Sequence, residues 1–135
     1  MFCPVCNEAM VVLEVEQIEI DHCLACGGVW LDAGELELLL EGATNKDELM
    51  ATLSGCVERQ EERIRCPICS KKMDKVRYGT GGEIILDKCP RDDGIWFDGG
   101  ELCRALQMGE YLRGRPVYDI LNQIFGGSCK NDVSD

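Results

Sequence analysis

Near the start of the chain, apolar and polar residues alternate with a period of two. Val11, Leu13 and Val15 alternate with Val12, Glu14 and Glu16, and beyond Gln17 the residues Ile18 and Ile20 alternate with Glu19 and Asp21. Successive side chains on a strand point to opposite faces, so this pattern predicts a β-hairpin with one buried face, turning at Glu16-Gln17. A second hairpin is expected where Met73 to Tyr78 and Glu83 to Lys88 flank the turn sequence Gly79-Thr80-Gly81-Gly82. A short strand through Trp30 or Trp96 follows each hairpin. A helix is then expected to start at Asp32 or Asp98, because Asp-x-x-Glu places a capping oxygen at the N-cap and Glu35 or Glu101 at N3.

Two further helices are read from three-and-four spacing. Asn45-Lys46-Asp47-Glu48 opens one that should run to about Arg63, with Leu49, Leu53, Cys56 and Val57 on one stripe. Pro116 opens the other, which carries Val117, Ile120, Leu121 and Ile124 toward Phe125. Its stripe should dock on the chain's own ribbons, the alternative being a surface for a partner helix. After Gly126-Gly127 the chain turns polar and should fray.

These patterns belong to a sequence written twice. Cys3-Pro4-Val5-Cys6 recurs as Cys66-Pro67-Ile68-Cys69, and Ile20-Asp21-His22-Cys23 as Leu86-Asp87-Lys88-Cys89. Gly28-Val29-Trp30-Leu31-Asp32 recurs as Gly94-Ile95-Trp96-Phe97-Asp98, and Gly34-Glu35-Leu36 as Gly100-Glu101-Leu102. The offset grows from 63 to 66 between the halves of each copy, so the second hairpin has gained three residues at its glycine turn. Such a duplication divides the chain into residues 1–43, a linker helix at 44–64, a second copy at 65–109, and a C-terminal helix with a polar tail at 110–135.

Charge separates the copies. The chain holds 25 acidic and 14 basic residues, a formal charge of −11. Residues 1–45 carry nine acidic side chains and no Lys or Arg, whereas residues 66–108 carry seven of each sign. An acidic chain repels phosphate backbones and anionic membranes, so nucleic-acid binding is not expected of the first copy and is weak at most for the second. There, Lys71, Lys72, Lys75 and Arg77 cluster on the hairpin, most simply as a solvated face. No apolar run reaches the ~20 residues of a membrane span, and Met1 to Cys6 lacks the basic and apolar regions of a signal peptide. The expectation is a cytoplasmic protein.

Ten cysteines beside a single histidine then carry the chemistry. Triads that use histidine as base have one position available, and no phosphate-binding or dinucleotide glycine motif is present, so an enzyme is not expected. Cys3, Cys6, Cys23 and Cys26 form two Cys-x-x-Cys knuckles, each turning two sulfurs toward one point. Two knuckles at opposite ends of a hairpin make a four-thiolate zinc site, which would also fold a copy too small to do so by apolar burial alone. In the second copy Cys66, Cys69 and Cys89 are present, and the position of Cys26 is taken by Asp92, followed by Asp93. A carboxylate can ligate zinc. Strict register selects Asp92, whereas a Cys-x-x-x-Asp spacing would use Asp93; a metal-free ribbon is the alternative to both.

The remaining candidates read structurally. His22 aligns with Lys88, which cannot ligate, and is expected to be a surface residue. Cys56 and Cys103 are expected to be buried thiols and Cys129 an oxidisable tail thiol. Asp32 with Glu35, and Asp98 with Glu101, are explained by helix capping, and Trp30 and Trp96 by core packing.

Cys-Pro-x-Cys followed by Asp-x-Cys-x-x-Cys-x-Gly-x-Trp-Leu-Asp-x-Gly-Glu-Leu, here Cys3 to Cys6 and Asp21 to Leu36, resembles the transcription factor IIB-type zinc ribbon family of small prokaryotic proteins. Cys66 to Leu102 resembles a second member in tandem. The resemblance implies a small α+β metal-bound fold of two zinc ribbons, each a hairpin plus short strand followed by a capped helix, with two Zn2+ ions. Similar proteins carry a Cys-Pro-x-x-His-Gly variant, which sets Asp93 in the histidine's place and favours it over Asp92. The function expected is a non-catalytic adapter that binds a protein partner, with a link to transcription resting on fold analogy. Redox sensing through zinc thiolates is the alternative. Electron transfer through rubredoxin-like iron sites is disfavoured by the short sixteen-residue gap between the knuckles.

Overall fold

The computed structural model describes residues 1–15, 17–54, 63–79, 81 and 84–110. The first copy forms β1 (Val11–Val15), β2 (Ile18–His22), β3 (Val29–Asp32) and the short helix α1 (Glu35–Leu39). α2 (Lys46–Ala51) and a 3-10 turn at Thr52–Ser54 follow. The second copy repeats the order with β4 (Asp74–Tyr78), β5 (Ile84–Lys88), β6 (Gly94–Phe97) and α3 (Glu101–Gln107). Both hairpins fall where the alternation places them. β1 and β2 register from Val11 opposite His22 to Val15 opposite Ile18, and Gln17 closes the turn with a positive φ of 69°.

The six strands form one antiparallel sheet in the order β1-β2-β3-β6-β5-β4. The copies are thus halves of one sheet, joined where β3 pairs with β6: Val29 opposite Phe97, Trp30 opposite Trp96, Leu31 opposite Ile95, Asp32 opposite Gly94. Since Trp30 and Trp96 are the repeat-equivalent residues, an internal two-fold axis passes between them.

Each sheet face has its own packing. On one, Ile20, Leu31, Val76, Tyr78, Leu86 and Phe97 pack with helix residues that include Leu36, Leu49 and Leu106. On the other, Trp30, Trp96 and Met73 pack with Cys3, Cys23, Cys66 and Cys89. The layers are therefore helices, sheet and knuckles. Both tryptophans are fully buried, each worth up to about 4–6 kcal/mol by area burial. Each leans over the other copy. A Cβ on Gly28 would overlap the Trp96 ring, and one on Gly94 would meet the Trp30 ring and the Leu31 carbonyl. Glycine at these two positions makes the junction possible.

The helices depart from expectation at their starts. α1 and α3 begin at Glu35 and Glu101, after Gly34 and Gly100 in left-handed conformations (φ 89° and 84°), with no side-chain cap. The Asp32 and Asp98 carboxylates instead accept hydrogen bonds from the Trp30 and Trp96 indole N–H groups at 2.9 and 3.0 Å. Half of the expected capping box survives. The Asp32 and Asp98 amides donate to Glu35 and Glu101 Oε1 at 2.8 and 3.1 Å. A buried indole N–H needs an acceptor, and the aspartate two residues on serves it before the helix.

Leu49 and Leu53 are buried as their spacing predicts, but the linker's α-helix ends at Ala51. Cys56, Val57, the Pro116–Phe125 segment and Cys129 lie outside the described residues. Cys103 is buried in α3 and disulfide-bonded, not the buried thiol expected of it.

Candidate metal centres

Each centre is assembled from two knuckles that the hairpin brings to one end of the sheet. The first begins Cys3-Pro4-Val5-Cys6 and closes with the Asn7 amide donating to the Cys3 carbonyl at 2.9 Å, Asn7 standing at φ 65°. Cys66 to Ser70 repeats this, with the Ser70 amide 2.9 Å from the Cys66 carbonyl and a φ of 68°. Inside these turns amides point at sulfur: Val5 N to Cys3 Sγ at 3.3 Å and Ile68 N to Cys66 Sγ at 3.3 Å. Such donors stabilise a thiolate, so the knuckle prepares its cysteine for a cation.

Cys3, Cys6, Cys23 and Cys26 offer four sulfurs, all within 4.8 Å of one another. Cys3 and Cys26 Sγ are 3.6 Å apart, and Cys6 and Cys23 Sγ are 3.4 Å apart. A tetrahedral zinc with Zn–S bonds near 2.3 Å requires sulfur separations of about 3.8 Å, so the donors need shift by only a few tenths of an ångström. In the second copy Cys66, Cys69, Cys89 and Asp93 come together within the same limit. Cys69 and Cys89 Sγ are 3.6 Å apart, and Asp93 Oδ2 stands 3.5 Å from both Cys66 and Cys89 Sγ. For one oxygen among three sulfurs the ideal S···O edge is about 3.5 Å. The residues present fit zinc at both centres.

The structure separates the two aspartates. Asp92 is exposed and its carboxylate pairs with Lys88 Nζ at 2.9 Å, outside the donor set that Asp93 joins. The cause is local. After Cys23 the turn closes with the Gly27 amide on the Cys23 carbonyl, and the left-handed residue is Gly27 at φ 83°. After Cys89 it closes one residue earlier, with the Asp92 amide on the Cys89 carbonyl and Asp92 itself left-handed at φ 66°. That shorter turn leaves Asp93 to supply the fourth donor. His22 also stands outside both donor sets, with its Nδ1 3.2 Å from the Gly28 carbonyl oxygen.

A dication entering these sites must displace thiol protons. Burial pushes the Cys66 thiol up to about 12 and also raises Cys3. Burial acts the same way on Cys23, but hydrogen bonds from the Cys26 amide, the Cys6 side chain and the Ala25 amide outweigh it, leaving Cys23 at about 7. The Asp93 carboxyl is held below its usual range, first by the Cys69 thiol. Each centre thus pairs a donor that ionises readily, Cys23 or Asp93, with buried thiols that give up their protons to a bound cation.

A family model described as a transcription factor zinc-finger, the TFIIB-type zinc ribbon, matches residues 2–42 and again residues 65–108. The chain belongs to this family. It is a tandem member, with zinc-ribbon donor sets at Cys3, Cys6, Cys23 and Cys26 and at Cys66, Cys69 and Cys89. Comparison with curated proteins and with solved structures returns no match. Among the described residues, no helix is long and apolar enough to cross a membrane.

What the sequence did not show is the junction. The alternation places each strand and the spacing places each ligand, but nothing in either tells β3 to pair with β6. The signal that could have found it is the glycine before each tryptophan, at Gly28 and Gly94, where space for a facing ring is required.

Proposed function

We propose that this zinc-ribbon protein is a non-catalytic adapter that binds a protein partner, with the transcription apparatus as the setting its family suggests. The observation that carries this reading is the closure of both donor sets. Each supplies four protein ligands, leaving no position for a substrate or an activated water, as in zinc sites that hold shape. Uneven charge supports a binding role: nine acidic side chains and no Lys or Arg in residues 1–45 present one sign of field to a basic protein surface. Capture experiments on the zinc-loaded chain in its native extract should recover a partner that salt releases. Recovery of nothing, or binding indifferent to salt, would count against the adapter.

A redox-sensing role is the second reading, favoured by the exposure of Cys6 and Cys26 at the rim of the first centre. Exposed zinc thiolates are open to peroxide, which would oxidise sulfur and release the metal. Unchanged zinc content and thiol count after mild peroxide treatment would dispose of it.

A further inference from the structure

The internal two-fold brings the first knuckles of the two copies side by side on the sheet face opposite the helices, with Cys3 and Cys66 in one buried cluster with both tryptophans. Between the knuckles runs an open groove of about 590 Å3, within the range of sites that hold small molecules or a few side chains. Its walls differ. Phe2 and Val5 from the first copy stand 62% and 52% exposed, facing Ile64 and Pro67 from the second. Among the described residues, its lining carries the guanidinium groups of Arg63 and Arg65 and no carboxylate. In a chain with a net charge of −11, two arginines at one groove, with no carboxylate among its described lining residues, set a locally positive wall against the surrounding field, although Arg63 shares its charge with Asp74.

Both guanidinium groups keep capacity for a ligand. One nitrogen of Arg63 lies 3.4 Å from Asp74 Oδ1, and one of Arg65 donates to the Ser70 carbonyl at 3.0 Å. A guanidinium carries five N–H donors in a fork that suits carboxylates. An antiparallel bridge between Arg65 and Lys72 sets a third cation on the same side of that strand pair.

We infer that this groove binds an extended peptide segment of a partner protein in which an aromatic or aliphatic residue stands beside an aspartate or glutamate. The apolar side chain packs on Phe2 and Val5, and the carboxylate is held by Arg63 and Arg65. A nucleic-acid strand fits less well. Its backbone charge would continue past the arginines into the first copy, where there are nine acidic side chains and no Lys or Arg to meet it. A peptide needs only one or two carboxylates at one wall. This inference rests on the adapter reading and adds to the basic surface that the acidic copy would meet a second contact, with an acidic segment of the same partner.

The test is fluorescence anisotropy on the full, zinc-loaded chain. The probe is a fluorescein-labelled peptide of Asp, Leu and Phe residues, with the same peptide carrying Lys for every Asp and an oligothymidylate as controls. The acidic peptide should bind saturably, the lysine peptide should not, and Arg65→Glu and Phe2→Ser should each weaken binding by about tenfold or more. Zinc content and thermal melting verify that each variant is folded, and Val5→Ser replaces Phe2→Ser if that variant is not. Absence of saturable binding, equal affinity in the variants, or preference for the lysine peptide or the oligothymidylate would overturn the groove. Partner capture by Arg65→Glu at the level of the native chain would overturn the groove and leave the adapter standing.

Discussion

After Cys23 the chain turns at Gly27 and Cys26 completes four sulfurs; after Cys89 it turns one residue sooner, at Asp92, and Asp93 completes three sulfurs and an oxygen. The two centres otherwise occupy equivalent places in one symmetric sheet. Their first knuckles agree to the hydrogen bond, with the same carbonyl–amide closure and the same left-handed residue after the second cysteine. The comparison teaches where this fold tolerates change. Strand pairing and the tryptophan junction are shared by both copies and fixed. A knuckle at the surface can exchange a ligand and its turn, provided a donor still reaches the metal.

Removing metal is the strongest way to break the comparison. Structural zinc supplies on the order of 10–16 kcal/mol of apparent binding energy, far beyond what so small a core retains. Complete chelation should therefore unfold the described domain, read as loss of the buried tryptophan signal. The two ions should not leave together. A carboxylate is a harder donor than a thiolate, and Arg91 and Lys88 flank the second centre, whereas residues 1–45 hold no Lys or Arg. Native mass spectrometry during chelator titration should show the one-zinc species, with the second centre emptied at a chelator concentration on the order of tenfold lower. Simultaneous loss would mean that Asp93 binds as well as Cys26. Asp93→Ala should yield one zinc per chain. Asp92→Asn, which keeps a residue that tolerates the left-handed turn, should keep two and cost under about 1 kcal/mol, because it removes an exposed ion pair with Lys88.

Disrupting the junction should have the next largest effect. Trp30→Ala and Trp96→Ala should each destabilise by about 3–5 kcal/mol in denaturant melts, by equal amounts if the two-fold is respected. Gly28→Val should cost about 1–3 kcal/mol or more, since the Trp96 ring fills the space. A variant at Gly28 that melts like the native chain would mean the tryptophans do not interlock across the copies.

How much of this was legible follows from how local each cause is. The hairpins could be read because alternation is a property of neighbouring residues: Val15, Ile18, Ile20, Val76 and Leu86 are buried as the pattern requires, although at the open end of β1 Val11 is exposed and Leu13 only partly buried. The cysteine ligands could be read because each pair is a closed local turn. The helix starts were misplaced because Asp32 and Asp98 have two possible partners, an amide in their own turn and an indole N–H, and the sequence does not rank them. Register alone left Asp92 and Asp93 open and the likeness to a Cys-Pro-x-x-His-Gly knuckle favoured Asp93, the residue that the left-handed turn at Asp92 brings among the donors. The single sheet was hidden for a different reason. Pairing of β3 with β6 joins segments some 66 residues apart, and each strand alone reads only as short and apolar.

The smallest effect sharpens the comparison through acid–base behaviour that the copies share. Burial pushes both Glu35 and Glu101 up to about 7, with Asp32 and Asp98 raising them further and the amides of those same aspartates opposing the shift. A carboxyl whose folded value lies above its unfolded one near 4.5 binds more protons in the native state across that interval. Its contribution to stability is therefore complete below about 4.5 and is lost as pH rises through about 7. In zinc-saturated protein between about pH 5.5 and 7.5, melting temperature should fall with rising pH. Glu35→Gln and Glu101→Gln should each flatten part of that slope, and the double variant more. Both groups are half-buried, so solvent screening keeps the effect small. Glu101 is the more enclosed of the two and also faces Asp87, the buried carboxylate paired with Lys75 at 2.9 Å. The larger flattening is therefore expected from Glu101→Gln, and a larger one from Glu35→Gln would place the stronger carboxylate repulsion in the acidic first copy instead.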